Sequence, residues 1–208
     1  MSGHFVNGVP IYFSDPRRHY HGISAKTPTW FSAQGGVYRC REAGGLRQNV
    51  AIKKYLVVEK ENQDPETFVM PKELVENEIY TMTKCAPHPN ILRLHGVHIY
   101  KDHIFLVMPL CDGGSLQQYC FDNRVSLSQM VFILKGVSDF GVISMNPTAD
   151  SSVEEAGVML FWAPEVCEGK IINRKADIWA LGIVVLEMLN GGKAPYEDDH
   201  MEEEDPIG

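Results

Sequence analysis

Several things are missing from this 208-residue sequence, and each absence removes a class of function. No Cys-x-x-Cys pair occurs among its five cysteines (Cys40, Cys85, Cys111, Cys120, Cys167), and the odd, widely spaced set argues for reduced thiols. No block of Lys and Arg stands out, and the net charge is −8, so neither nucleic acid nor an anionic membrane surface is expected as a partner. His95 and His98 lie close together, but no Cys, His or carboxylate set with ligand spacing accompanies them, so no metal cluster is read there. The start, Met1-Ser2-Gly3-His4, offers neither an apolar signal core nor a glycine at position 2 for myristoylation. The longest apolar stretch, Ile178 to Leu189, falls well short of the roughly 20 residues that span a bilayer. These readings together place the chain in the cytoplasm, with the nucleus as a second compartment.

What is present is an ordinary globular composition, 44% hydrophobic and 22% charged, with enough length for one large domain or two small lobes. Acidic runs at 59–66 and 198–205 read as solvated loop and tail. Residues 1–29, punctuated by Pro10, Pro16 and Pro28, are expected to be irregular. Strand-like segments follow from Trp30 to Val58, around Gly35–Cys40 and Val50–Lys53. Pro71 opens an expected helix to about Lys84, on which Val75, Ile79 and Met82 recur at helical spacing. Two strands are expected at Ile91–Tyr100 and Ile104–Met108, joined by a polar turn. After the break at Asp112-Gly113-Gly114, a short helix carries Leu127, Met130, Val131 and Leu134, with Ser126 as its cap. From Asp139 to about Phe161 the pattern is irregular. The stretch Ile178–Leu189 is apolar on all sides, which predicts a helix buried in a core. A strand-rich half thus precedes a helix-rich half: an α+β fold with a hinge near Asp112.

Five short segments carry chemistry, and they come in a telling order. Lys53 ends the strand string Val50-Ala51-Ile52-Lys53, where a mobile point charge suits phosphate. Glu78 lies between Val75 and Met82 on the inward helix face and is the candidate partner for that lysine; Glu73 and Glu76 project elsewhere. The run Phe105–Leu116, the triplet Asp139-Phe140-Gly141, the stretch Gly157–Glu165 ending in Ala163-Pro164-Glu165, and Lys175–Gly182 complete the series. This order resembles that of the eukaryotic protein kinases, of the serine/threonine type, over about Trp30 to Tyr196.

The resemblance implies a two-lobed protein-kinase-like fold, with a strand-rich smaller lobe at 30–110, an incomplete helical larger lobe at 111–196 and an acidic tail at 197–208. It implies an ATP site built from Gly35, Val37, Ala51, Lys53, Glu78, Met108, Pro109 and Cys111, with Asp139 as the magnesium carboxylate. Met108 would stand at the gatekeeper position, and Cys111 would offer its backbone amide to adenine. Pro109 replaces the usual acidic residue where only a carbonyl is needed, and proline keeps its carbonyl.

The departures bear on function. Trp30 and Ser32 stand where the first two glycines of the phosphate-covering loop belong, so a weakened grip on ATP and Mg2+ is expected. Between the 105–116 run and Asp139 there is no His-Arg-Asp loop and no following asparagine. Asp122 and Asn123 precede the Ser126 helix and read as polar loop. Catalytic residues are therefore none. Val158 replaces a usual threonine, and Glu165 lacks the arginine it would pair with. The favoured reading is a non-catalytic, pseudokinase-like chain with a protein partner covering its incomplete larger lobe. An active serine/threonine kinase represented by a truncated or exon-skipped sequence remains open beside it, as does a product that never folds stably.

Overall fold

The computed structural model describes residues 4–23, 27–32, 35–44, 48–57, 69–85, 88–136, 148–150 and 159–195. They fall into two compact units. The first takes in the described residues up to Asp112 together with Gly136; the second takes in the other described residues from Gly113 onward. A strand-rich unit followed by a helix-rich one is the α+β arrangement expected.

The first unit is an eight-stranded sheet with one long helix on it. Its elements are β1 (His4–Val6), β2 (Val9–Tyr12), a 3-10 turn at Pro16–Arg18, β3 (Tyr20–His21), β4 (Trp30–Ser32), β5 (Gly35–Glu42), β6 (Asn49–Leu56), α1 (Lys72–Cys85), β7 (Gly96–Tyr100) and β8 (His103–Pro109). The strand order is β1-β2-β7-β8-β6-β5-β3, with β4 paired to β5. Alternation along β6 and β8 explains why both sheet faces are dry. Ala51, Tyr55, Ile104, Leu106 and Met108 point to the α1 side, where Val75 and Met82 meet them. Val50, Ile52, Phe105 and Val107 point to the opposite face and pack with Ile23, Tyr38 and Cys40. Each Leu- or Ile-sized side chain buried there contributes roughly 1.5–3 kcal/mol.

The irregular reading of residues 1–29 is corrected here. Asn7 and Gly8 both adopt positive φ (48° and 86°), which makes the tight two-residue turn joining antiparallel β1 and β2. β2 then pairs in parallel with β7, Ile11 opposite Val97 and Tyr12 opposite His98, and β3 pairs with β5. Pro10 is tolerated because its register partner is Phe5 on β1, outside the β2–β7 pairing. Val9 and Ile11 join the α1-side core, and the Asn7 amide donates to the Thr83 hydroxyl at 3.2 Å, fastening the hairpin to α1.

The second unit contains α2 (Leu116–Asp122), α3 (Leu127–Ile133), β9 (Thr148–Asp150), a 3-10 turn at Met159–Phe161, α4 (Pro164–Cys167), β10 (Ile171–Asn173) and α5 (Lys175–Leu189). Ser126 caps α3 as expected, in a full capping box with Gln129. Three expectations change. Asp122 is the last residue of α2, itself capped by Ser115, rather than loop, with Asn123 as the C-cap. The stretch read as irregular after Asp139 includes β9, held by antiparallel pairing to β10. And α5, expected in a core, is largely uncovered: Ile178 is 67% exposed and Leu189 65%, with Trp179, Leu181 and Leu186 exposed as well. Only Met188 of this helix is buried, in a small cluster with Cys120 and Met130. Among the described residues, too little packs against α5 to cover every side of an all-apolar helix. No helix among the described residues is long and apolar enough to cross a membrane.

Candidate active site on the first unit

The candidate site grows out of strand β6. With Ala51 and Tyr55 turned toward α1, period-two alternation obliges Lys53 between them to face the same way. Helical spacing does the same for Glu78, one turn from Val75 and one from Met82. The two meet: Lys53 Nζ donates to Glu78 Oε1 at 3.3 Å, with side chains only 8% and 4% exposed. Of the three carboxylates on α1 (Glu73, Glu76 and Glu78), Glu76 instead forms an exposed pair with Lys72, at 3.3 Å, one turn apart.

A third residue completes the pair, one that sequence reasoning missed. The Tyr55 hydroxyl donates to Glu78 Oε2, and Lys53 Nζ lies 5.1 Å from the centre of the Tyr55 ring. Each carboxylate oxygen of Glu78 therefore has its own donor, and no buried side-chain nitrogen or oxygen among the described residues lacks a partner. A buried charge is tolerable only under such conditions. The signal was available: Tyr55 lies two residues beyond Lys53 and must share its face of the strand.

Around this pair the apolar candidates assemble as one surface. Met108 is the register partner of Ala51, and Leu106 that of Lys53. Ala51 and Met108 belong to the α1-side core, against which Val37 and Leu110 are partly buried. Pro109 pairs with Val50 at the end of β8, and Cys111 follows as an exposed free thiol. Gly35 begins β5 opposite Ser32, and Trp30 faces Val37. Gly36 is held small for a packing reason, since a Cβ there would come within 2.8 Å of Pro28. Asp139 and Val158 lie outside the described residues. Among the described residues, no cluster of three or more His, Cys, Asp or Glu could hold a metal ion. In the second unit, Asp177 is exposed in the first turn of α5, and Glu165 lies on α4.

This geometry can position an anion. A cation fixed in the middle of β6, held by a carboxylate and flanked by an apolar wall from Val37, Ala51 and Met108, suits a phosphate-bearing ligand with a flat apolar part.

Comparison with known proteins agrees. The protein kinase domain matches the chain in two segments, residues 33–138 and 134–206, which meet where the catalytic loop is missing. Among curated relatives, the serine/threonine-protein kinase MST20 of Pyricularia oryzae is 30% identical over 88% of this chain and 22% of its own length. The serine/threonine-protein kinase STE20 of Saccharomyces cerevisiae is 31% identical over 79% of this chain and 20% of its own. The serine/threonine-protein kinase shk1/pak1 of Schizosaccharomyces pombe is 29% identical over 81% and 29%, so the chain spans less than a third of each of these relatives. With both segments of that domain matched and the lysine–glutamate pair built as its sequence order implied, the chain belongs to the protein kinase family.

Proposed function

We propose that this chain is a non-catalytic kinase domain that binds ATP weakly, with Mg2+, and acts by engaging a protein partner. The observation that carries the nucleotide half is the buried Lys53–Glu78 pair, since an uncompensated lysine there would not be held for phosphate. What argues against transfer is the sequence itself. No His-Arg-Asp loop and no metal-binding asparagine lie between the 105–116 run and Asp139, so no base stands ready for the substrate hydroxyl. Supporting the partner half is α5, whose exposed Ile178, Trp179 and Leu186 line a groove of about 900 Å3 in the second unit. The free thiols of Cys40, Cys111, Cys120 and Cys167 favour the cytoplasm or nucleus as its compartment.

ATP titration with and without Mg2+, followed by thermal shift, tests the proposal. Weak stabilisation is expected, falling about tenfold or more in affinity in Lys53→Met, in line with the loss of a charge-assisted contact. Tight binding unchanged in that variant removes Lys53 from the site. Labelled ATP with generic serine/threonine substrates should give background transfer only, and turnover that disappears in Asp139→Asn would refute the non-catalytic reading. The second reading, an active kinase represented by an exon-skipped sequence, is favoured by one observation: the family match breaks into two segments meeting at 134–138. Sequencing the transcript across that junction separates the two, because an in-frame exon boundary there identifies a deletion.

A further inference from the structure

Lys53 has a neighbour with a different task. Lys54 faces the opposite side of β6 and opens into a separate cavity of about 320 Å3, contained wholly in the first unit. Its walls come from the N-terminal segment on one side (Asp15, Pro16, Arg17, Ile23) and from the β7–β8 turn on the other (Tyr100, Lys101, His103). Buried Phe105 and Ile23 give it an apolar floor.

The charge in this cavity is unbalanced. Arg17, Lys54 and Lys101 all line it, against the single carboxylate of Asp15. That carboxylate is already taken, because the Arg17 guanidinium grips both of its oxygens, Nε at 2.9 Å from each. Lys54 is half-buried with no carboxylate partner in any ion pair of the described residues, and its ammonium is pushed down from the ordinary lysine range, by burial first and then by repulsion from Arg17. Lys101 lies over the Tyr100 ring, 5.5 Å from its centre, and holds a left-handed backbone (φ 53°) where glycine or asparagine is usual. Asp102, beside it in the turn, is not one of the lining residues. In a chain of net charge −8, gathering three cations in one small cavity runs against the overall balance.

We propose that this cavity is a second ligand site, taking a phosphomonoester whose organic part is small and apolar. A dianion between Lys54 and Lys101 relieves the repulsion that Arg17 exerts on Lys54 and supplies the missing counter-charge. The organic part then lies on Phe105 and Ile23. The volume is at the lower end of small-molecule sites, roughly 300–1,000 Å3, which excludes a whole nucleotide triphosphate with its base. The proposal is independent of the ATP reading, because Lys54 and Lys53 project to opposite faces of the strand.

Phenyl phosphate, inorganic phosphate and phenyl sulfate are the probes, titrated into the 15N-labelled full chain while the amides of Lys101, Asp102 and Lys54 are followed by NMR. Phenyl phosphate is expected to bind, with inorganic phosphate weaker because it leaves the floor bare and phenyl sulfate weaker because it is a monoanion. Lys54→Met should weaken phenyl phosphate about tenfold, the loss of one charge-assisted contact. Lys101→Asn, a substitution that suits the left-handed turn and so keeps the fold, should weaken it several-fold. Saturating ATP should leave the phenyl phosphate titration unchanged. Equal affinity in both variants, displacement by ATP, or no amide shifts at millimolar phenyl phosphate would each overturn the assignment.

Discussion

Helices α1 and α5 are nearly equal in length, 14 and 15 residues, yet they meet their surroundings in opposite ways. α1 is amphipathic. It buries Val75, Glu78 and Met82, turns Lys72, Glu73 and Glu76 to solvent, and lies on a sheet whose strands supply a matching apolar face. α5 is apolar on every side and finds partners on one, through Met188, Val184 and Val185 against Cys120 and Met130. The first helix has a polar face that needs no cover. The second has none, so its own composition demands more neighbours than the described residues of the second unit bring to it. The comparison separates a unit with a two-faced core, which holds the candidate site, from one whose main helix exposes the surface a partner would cover.

The sharpest way to break this contrast is hydrogen exchange on the isolated chain. Protection across β6 and β8 should approach that of global unfolding, while Trp179–Leu189 should exchange faster by about three orders of magnitude, given net stabilities of roughly 5–15 kcal/mol. Strong protection of Trp179–Leu189 in a demonstrated monomer would contradict the reading of α5 as under-covered.

Within the first unit, Tyr55→Phe tests whether its buried polar trio contributes stability. The substitution keeps the ring but strips Glu78 Oε2 of its donor inside a dry core, at a cost of about 1–3 kcal/mol. Denaturant unfolding measures it, and a neutral result would show that Glu78 turns elsewhere for a donor.

The smallest expected effect concerns the edge at which the N-terminal hairpin joins the sheet. His98 is buried beneath Tyr12, their rings stacked 4.8 Å apart, and its Nδ1 donates to the Ser14 carbonyl at 3.3 Å. Burial holds its pKa below the ordinary 6.5, with the nearby His19 acting the same way and the Ser14 bond and Asp15 opposing. The unfolded chain therefore takes up the proton first as pH falls. Stability is fully present above about pH 6.5 and declines below it, toward the lowered folded value. The midpoint of unfolding should drop between pH 7 and 5.5, and His98→Gln should shrink that drop. An unchanged slope would remove His98 from the acid response.

Much of this architecture was legible because its signals are local. Ser126 with Gln129 three residues on announces α3, and the spacing of Val75, Glu78 and Met82 announces both α1 and its inward glutamate. The N-terminal hairpin was legible too, in the Asn7-Gly8 dipeptide between Val6 and Val9, but three prolines nearby masked it. Its attachment to β7 was not, because parallel pairing between Ile11 and Val97 depends on contacts more than 80 residues apart that leave no mark in either segment.

The sequence by itself determined the family, the identities of Lys53 and Glu78, and the absence of a catalytic loop, since each is a matter of residue type and order. Only the tertiary structure decided that Tyr55 completes the Lys53–Glu78 pair, that residues once read as irregular become an edge of the sheet, and that α5 lies exposed. An apolar face states what a helix needs. Whether the rest of the chain can meet that need is a question of how much surface packs against it, and that is settled in three dimensions.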